Sequence, residues 1–144
     1  MPVVRVYIPL GRRGLLALAR DRVLRGEDAG QAYAVTAGLE AAHPAEGVEE
    51  LEYLAFCDAA AAARALREKP TDRRVVAAAD ADAAWLSDGD GGTAAVAVSA
   101  DLPLSRIASF HVDDATALGS GDESPDELLW YDATEIDEVR AFFG

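Results

Sequence analysis

"RRVVAAAD", residues 73–80, decides the architecture. Behind two arginines, Val75 to Ala79 form an unbroken apolar run of strand length, without the polar alternation of a sheet that wets one face. Such a run fits a central strand covered on both sides, so the chain must place layers above and below its sheet.

The segment before it supplies one such layer. In "EGVEELEYLAFCDAAAAARALREKP" (46–70), Glu46, Glu49, Glu50 and Glu52 crowd the first turns, and Arg64, Arg67 and Lys69 the last. The helix dipole favours this polarity, and Pro70 stops the helix. Its middle, 54–63, is apolar except for Asp58, and the alanines allow close approach of a neighbour. Asp58 reads as a carboxylate at the edge of the buried stripe, paired with an arginine.

Further upstream, "VVRVYIPL" (3–10) alternates Val4, Val6 and Ile8 against Arg5 and Tyr7, a strand pattern closed by Pro9 and Gly11. A helical stripe through Leu15, Leu18, Ala19 and Val23 follows, with Gly26 where a C-terminal cap belongs. "QAYAVT" (31–36) is a second strand, and Thr36 is placed to cap a short helix in "AGLEAAH". A right-handed crossover predicts these first two strands to be parallel.

Downstream, strands are expected in "TAAVAVS" (93–99), "RIASFHV" (106–112) and "DELLWYD" (126–132), and a closing helix in "TEIDEVRAFF" with Thr134 as its N-cap. "ADAAWLSDGDGG" and "GSGDESPDE" read as loops. The order starts as an α/β wrap and ends as a meander. It predicts a single α+β (mixed α/β) domain over residues 1–144, with one mixed sheet of about five or six strands and helices packed against it.

Composition narrows the function. The 144 residues carry a formal net charge of -13, concentrated in the second half. Residues 1–70 hold 9 Lys+Arg against 10 Asp+Glu, and residues 71–144 hold 4 against 16, so the halves carry -1 and -12. An acidic surface repels phosphate backbones, which argues against direct nucleic-acid binding. It suits solubility, a cation, or a basic partner. No run reaches the length of a membrane span, and a single cysteine, Cys57, reads as a small core residue in a reducing compartment. These features point to the cytoplasm and away from a membrane.

Four groups of residues are candidate sites. In "SFHVDD", residues 109–114, strand alternation puts Ala108, Phe110 and Val112 toward the core and Ser109, His111 and Asp113 on the opposite, solvated side. Neighbours two apart on one strand face stand about 7 Å apart, too far for Ser109 to reach His111 unaided. His111 with Asp113 or Asp114 offers the nitrogen and oxygen donors that a divalent metal accepts, given a third ligand such as Asp80, Asp82 or Asp132. The "DGDGG" loop with Asp88 and Asp90 departs from the EF-hand pattern at Gly92 and Ser99. "GRRG" lacks the length and ending of a phosphate loop, although Arg12 and Arg13 at the head of the first helix, with Arg5, could hold an anion. Trp130 and Tyr131 fall on opposite faces of one strand, so one enters the core while the other is free to anchor a partner.

"RVYIP", "AYAVTAGLE", "EELEYLA", "RRVVAAADA", "HVDD" and "ELLWYDATE", in this order, resemble a family of small actinobacterial proteins of unknown function. The resemblance implies a soluble intracellular bacterial protein and assigns no activity, cofactor or catalytic residue. This chain continues past the usual "LLWY" ending with "EIDEVRAFF". Two functional expectations follow. One is a non-enzymatic interaction module whose acidic half, with Trp130, Tyr131, Asp88 and Asp90, docks a basic or apolar protein partner. The other is a metal-dependent, hydrolase-like enzyme built on His111, Asp113 and Asp114. A homodimer through a sheet edge or the alanine-rich helix is a further expectation.

Overall fold

A computed structural model of the chain describes residues 2–89, 93–114 and 128–143. Seven strands form one sheet in the order β5-β6-β3-β1-β4-β8-β9. Their ranges are β1 Val3–Leu10, β3 Gln31–Ala34, β4 Val75–Asp82, β5 Leu86–Asp88, β6 Ala95–Val98, β8 Ile107–Asp113 and β9 Leu128–Asp132. A separate two-strand ribbon joins β2 Val23–Leu24 to β7 Leu102–Pro103. The helices are α1 Arg12–Asp21, α2 Gly26–Ala29, α3 Ala37–Ala42, α4 Val48–Ala65 and α5 Ile136–Ala141.

Residues 75–79 behave as their composition demands. β4 lies between β1 and β8, and Val75, Val76, Ala77, Ala78 and Ala79 are all buried. Val75, Ala77, Ala79 and Ala81 join Val6, Ile8, Phe110 and Val112 in the larger core, under α1, α5 and the ribbon. Val76 faces the other way and meets Ala59, Ala60 and Ala63 of α4. The alanines that make α4 apolar thus let its backbone settle on the sheet.

Every pairing within the sheet is antiparallel, including β1 with β3. The expected parallel crossover fails because α1 ends at Arg22, in the left-handed conformation (φ 61°), well before Gly26. The extra excursion through β2 and α2 reverses the chain once more before β3 enters the sheet. Thr36 caps α3 as expected, its hydroxyl accepting from Leu39 N at 2.9 Å. The closing helix is capped differently. Asp132, not Thr134, accepts the first free N–H, and Glu135 completes a capping box.

Two further differences concern strands. The presumed loop at 81–92 contains β5, paired with β6 at the sheet edge. In β8 a bulge sets Ala78 opposite Ser109 but Ala79 opposite Ile107. The extra residue, Ala108, shifts the alternation, so Ile107 takes the core position expected of Ala108. Cys57 is half-buried rather than in the core. Asp58 is exposed, with its carboxyl raised by partial burial, and among the described residues it forms no ion pair with an arginine.

Candidate functional site

The functional geometry follows from a mismatch in width. α4 lies over β1, β3 and β4. On that face the sheet continues into β8 and β9, so a cleft of about 490 Å³ opens between the first half of α4 and the β8–β9 pair. Glu49, Glu52, Tyr53 and Phe56 recur along one face of α4 and form one wall. Leu128 and Trp130 of β9 form the other, while Tyr7, Ala78, Ser109 and His111 make the floor and Arg5 closes one end. The small side chain of Ala78 leaves the depth.

The rings interlock at the base. Phe56 meets Tyr7 edge-on at 5.7 Å between centroids and His111 at 5.0 Å. Trp130 pairs across the strands with His111 and is 61% exposed, whereas Tyr131, on the other face, packs against Phe142 of the main core. The opposed faces of this aromatic pair therefore have opposed fates. Sequence reasoning found Trp130 but missed its companions, because Tyr7, Tyr53 and Phe56 sit on elements read only for their core patterns.

The row Ser109, His111, Asp113 is not a wet strand face. Ser109 and Asp113 are buried, and His111 is half-buried. Ser109 Oγ and His111 Nε2 stand 3.1 Å apart, within hydrogen-bond range. The spacing argument failed because the imidazole leans back along the strand and spans the gap between the two positions. Burial first, and the nearby Arg5 charge second, push the His111 pKa down, so its ring is neutral near pH 7. Tyr7 is raised, by burial foremost and then by Glu52, and keeps its proton.

Asp113 lies beyond the cleft, beneath the end of α4. Its carboxylate accepts from Arg74 Nη2 at 2.9 Å, from Arg74 N at 2.7 Å and from Arg67 Nη2 at 3.1 Å. Burial opposes its ionisation, but these bonds together hold its pKa below the ordinary carboxylate value. Asp113 is thus drawn to arginines and not toward His111, and Asp114 lies just past the end of β8. Asp80 and Asp82 are bound to Arg5 and Arg106 at 2.9 and 3.3 Å, and Asp132 is a helix cap. Among the described residues no group of three or more His, Cys, Asp and Glu is placed to hold a metal ion.

The remaining sequence candidates are dispersed. Arg12 is half-buried and holds Asp72 at 2.6 Å and the Phe143 carbonyl, so its charge serves the fold. Arg13 is exposed beside Arg20, Arg25, Asp21 and Asp28, a depression of mixed sign. Only Arg5 of the three reaches the cleft. Asp88 is exposed on the edge strand β5, far from Trp130 in the strand order, and Asp90 lies outside the described residues.

No helix among the described residues is long and apolar enough to cross a membrane. No curated protein and no solved structure matches the chain. The profile of DUF6912, a family of unknown function, does, over residues 4–139, from β1 into α5. The match takes in every element that builds the cleft, and the chain belongs to that family.

Proposed function

We propose that the protein is a non-enzymatic interaction module whose protein partner docks across the cleft between α4 and β9. The observation that carries this reading is Trp130. A tryptophan exposed at 61% on the rim of a half-covered sheet face, with Tyr53 exposed at 46% on the facing wall, is what a binding anchor looks like before its partner arrives. The charge of -12 over residues 71–144 favours a partner with basic surface and disfavours nucleic acid. The engagement of Asp113 by Arg74 withdraws one donor from the alternative metal-dependent chemistry.

Site-specific photo-cross-linking in the source cell tests it. A photoreactive phenylalanine analogue at position 130 should trap a discrete protein that the same analogue at exposed Arg13 does not, and Glu52→Lys should abolish the adduct. Identical adduct patterns from the two positions, or an adduct indifferent to Glu52→Lys, would refute the reading.

A further inference from the structure

The cleft combines two features that are usually found apart. Its lining carries the aromatic rings of Tyr7, Tyr53, Phe56 and Trp130, and its α4 wall carries two carboxylates, Glu49 and Glu52. Among the described residues neither glutamate forms an ion pair with arginine or lysine. Arg5, the one cation lining the cleft among the described residues, is already joined to Asp80 at 2.9 Å. Glu49, Glu52 and Asp80 against Arg5 leave the described lining with a net negative formal charge. Aromatic faces and uncompensated negative charge both attract a cation.

Resting on the interaction reading above, we infer that the cleft recognises one arginine side chain of the docked partner. The polar floor selects arginine among cations. The Tyr7 hydroxyl and Ser109 Oγ can accept hydrogen bonds, and the glutamates present paired oxygens at the rim. A guanidinium is planar and carries five N–H donors in a fixed fork, so it can stack on an indole or phenol ring and meet a carboxylate edge-on at the same time. A quaternary ammonium would use the rings and leave those acceptors unpaired. A lysine ammonium, compact and strongly hydrated, gains less from a ring face and must give up more water to reach it. His111, uncharged near pH 7, adds no competing positive charge at the floor.

The test uses the full chain, uniformly labelled with 15N, titrated with acetyl-Gly-Arg-Gly-amide and with the same peptide carrying citrulline, lysine or trimethyllysine. The arginine peptide should shift the Trp130 indole N–H and the amides around His111 and Phe56 saturably. Citrulline, isosteric but neutral, should bind about tenfold more weakly or not at all, and both lysine peptides several-fold more weakly. Glu49→Gln with Glu52→Gln, which keeps the size of both side chains, should keep the spectrum of the folded protein and weaken the arginine peptide by about tenfold. Equal binding of citrulline or of either lysine peptide, shifts mapping away from the cleft, or indifference to the double substitution would overturn the inference. A cross-linked partner at position 130 with no response to the arginine peptide would sink this inference alone. Loss of that adduct pattern would remove the reading on which it rests.

Discussion

Asp113, at 1% exposure, is held as an anion by Arg74, at 2%, and by Arg67, whose hydrogen bonds replace the lost water. Removing the carboxylate takes a buried charge partner from both arginines. Asp113→Ala should therefore destabilise the fold by about 3–5 kcal/mol in urea denaturation. The pH dependence has a definite sign. Because the folded-state pKa of Asp113 is depressed, its contribution is present above the ordinary carboxylate range and lost as pH falls through the lower, folded value. His111 acts in a different window with the same sense. Its pKa is also lowered, so the unfolded chain takes up the proton first; the stability it contributes is complete above 6.5 and is lost as pH falls below that value toward the folded pKa. An NMR titration of the His111 ring should place its midpoint below 6.5, and His111→Phe should flatten the stability curve between that midpoint and neutrality. An unshifted midpoint would mean that the ring is fully hydrated.

At the scale of elements, helix ends carry the clearest local information. Thr36 accepts from Leu39 N and also donates to the Thr93 carbonyl at 2.6 Å, tying α3 to the strand leading into β6. Thr36→Ala should cost about 1–2 kcal/mol, read from thermal or chemical unfolding. The close seat of α4 makes an opposite prediction. Ala59 and Ala60 are fully buried against Val76, and Ala59→Leu should destabilise by about 1–3 kcal/mol through overpacking. Caps, charge bias and apolar runs were legible in the sequence because they depend on neighbours a few residues away. That is why α4, β4 and the Thr36 cap were found nearly where they stand. The bulge at Ala108 was illegible, since it exists only relative to the register with β4. β5 was hidden in an Asp/Gly-rich stretch whose strand character comes from pairing with β6. Asp132 and Thr134 were both fair caps by residue type, and only the backbone geometry chose between them.

At the scale of the whole molecule, the α+β class and the two-sided burial of β4 follow from composition and pattern, but strand direction does not. β1 and β3 are antiparallel because the short β2–α2 excursion adds a reversal that no periodicity announces. The cleft was legible only through Arg5, Ser109, His111 and Trp130. Its other wall depends on how far α4 extends across a sheet wider than itself, which is a property of the assembled layers. Filling it should have a global effect. If Ala78, on the floor, is enlarged to Leu, any ligand of the cleft should be excluded while the opposite core, built on the alternate residues of β4, keeps its packing. Ligand titration beside unfolding measurements would separate the two consequences.

The place of β1 at the centre of the sheet also has a meaning in time. Its two flanking strands are β3 and β4, and the second brings Asp80 to Arg5 over a sequence separation of 75. During synthesis an apolar strand with open hydrogen-bonding edges must therefore wait while α1, α3 and α4 emerge, and closing so long a loop is slow. Through that interval the nascent chain exposes its own best template for misassociation, and the half carrying the high negative charge, which would keep such chains apart, is the half that arrives last.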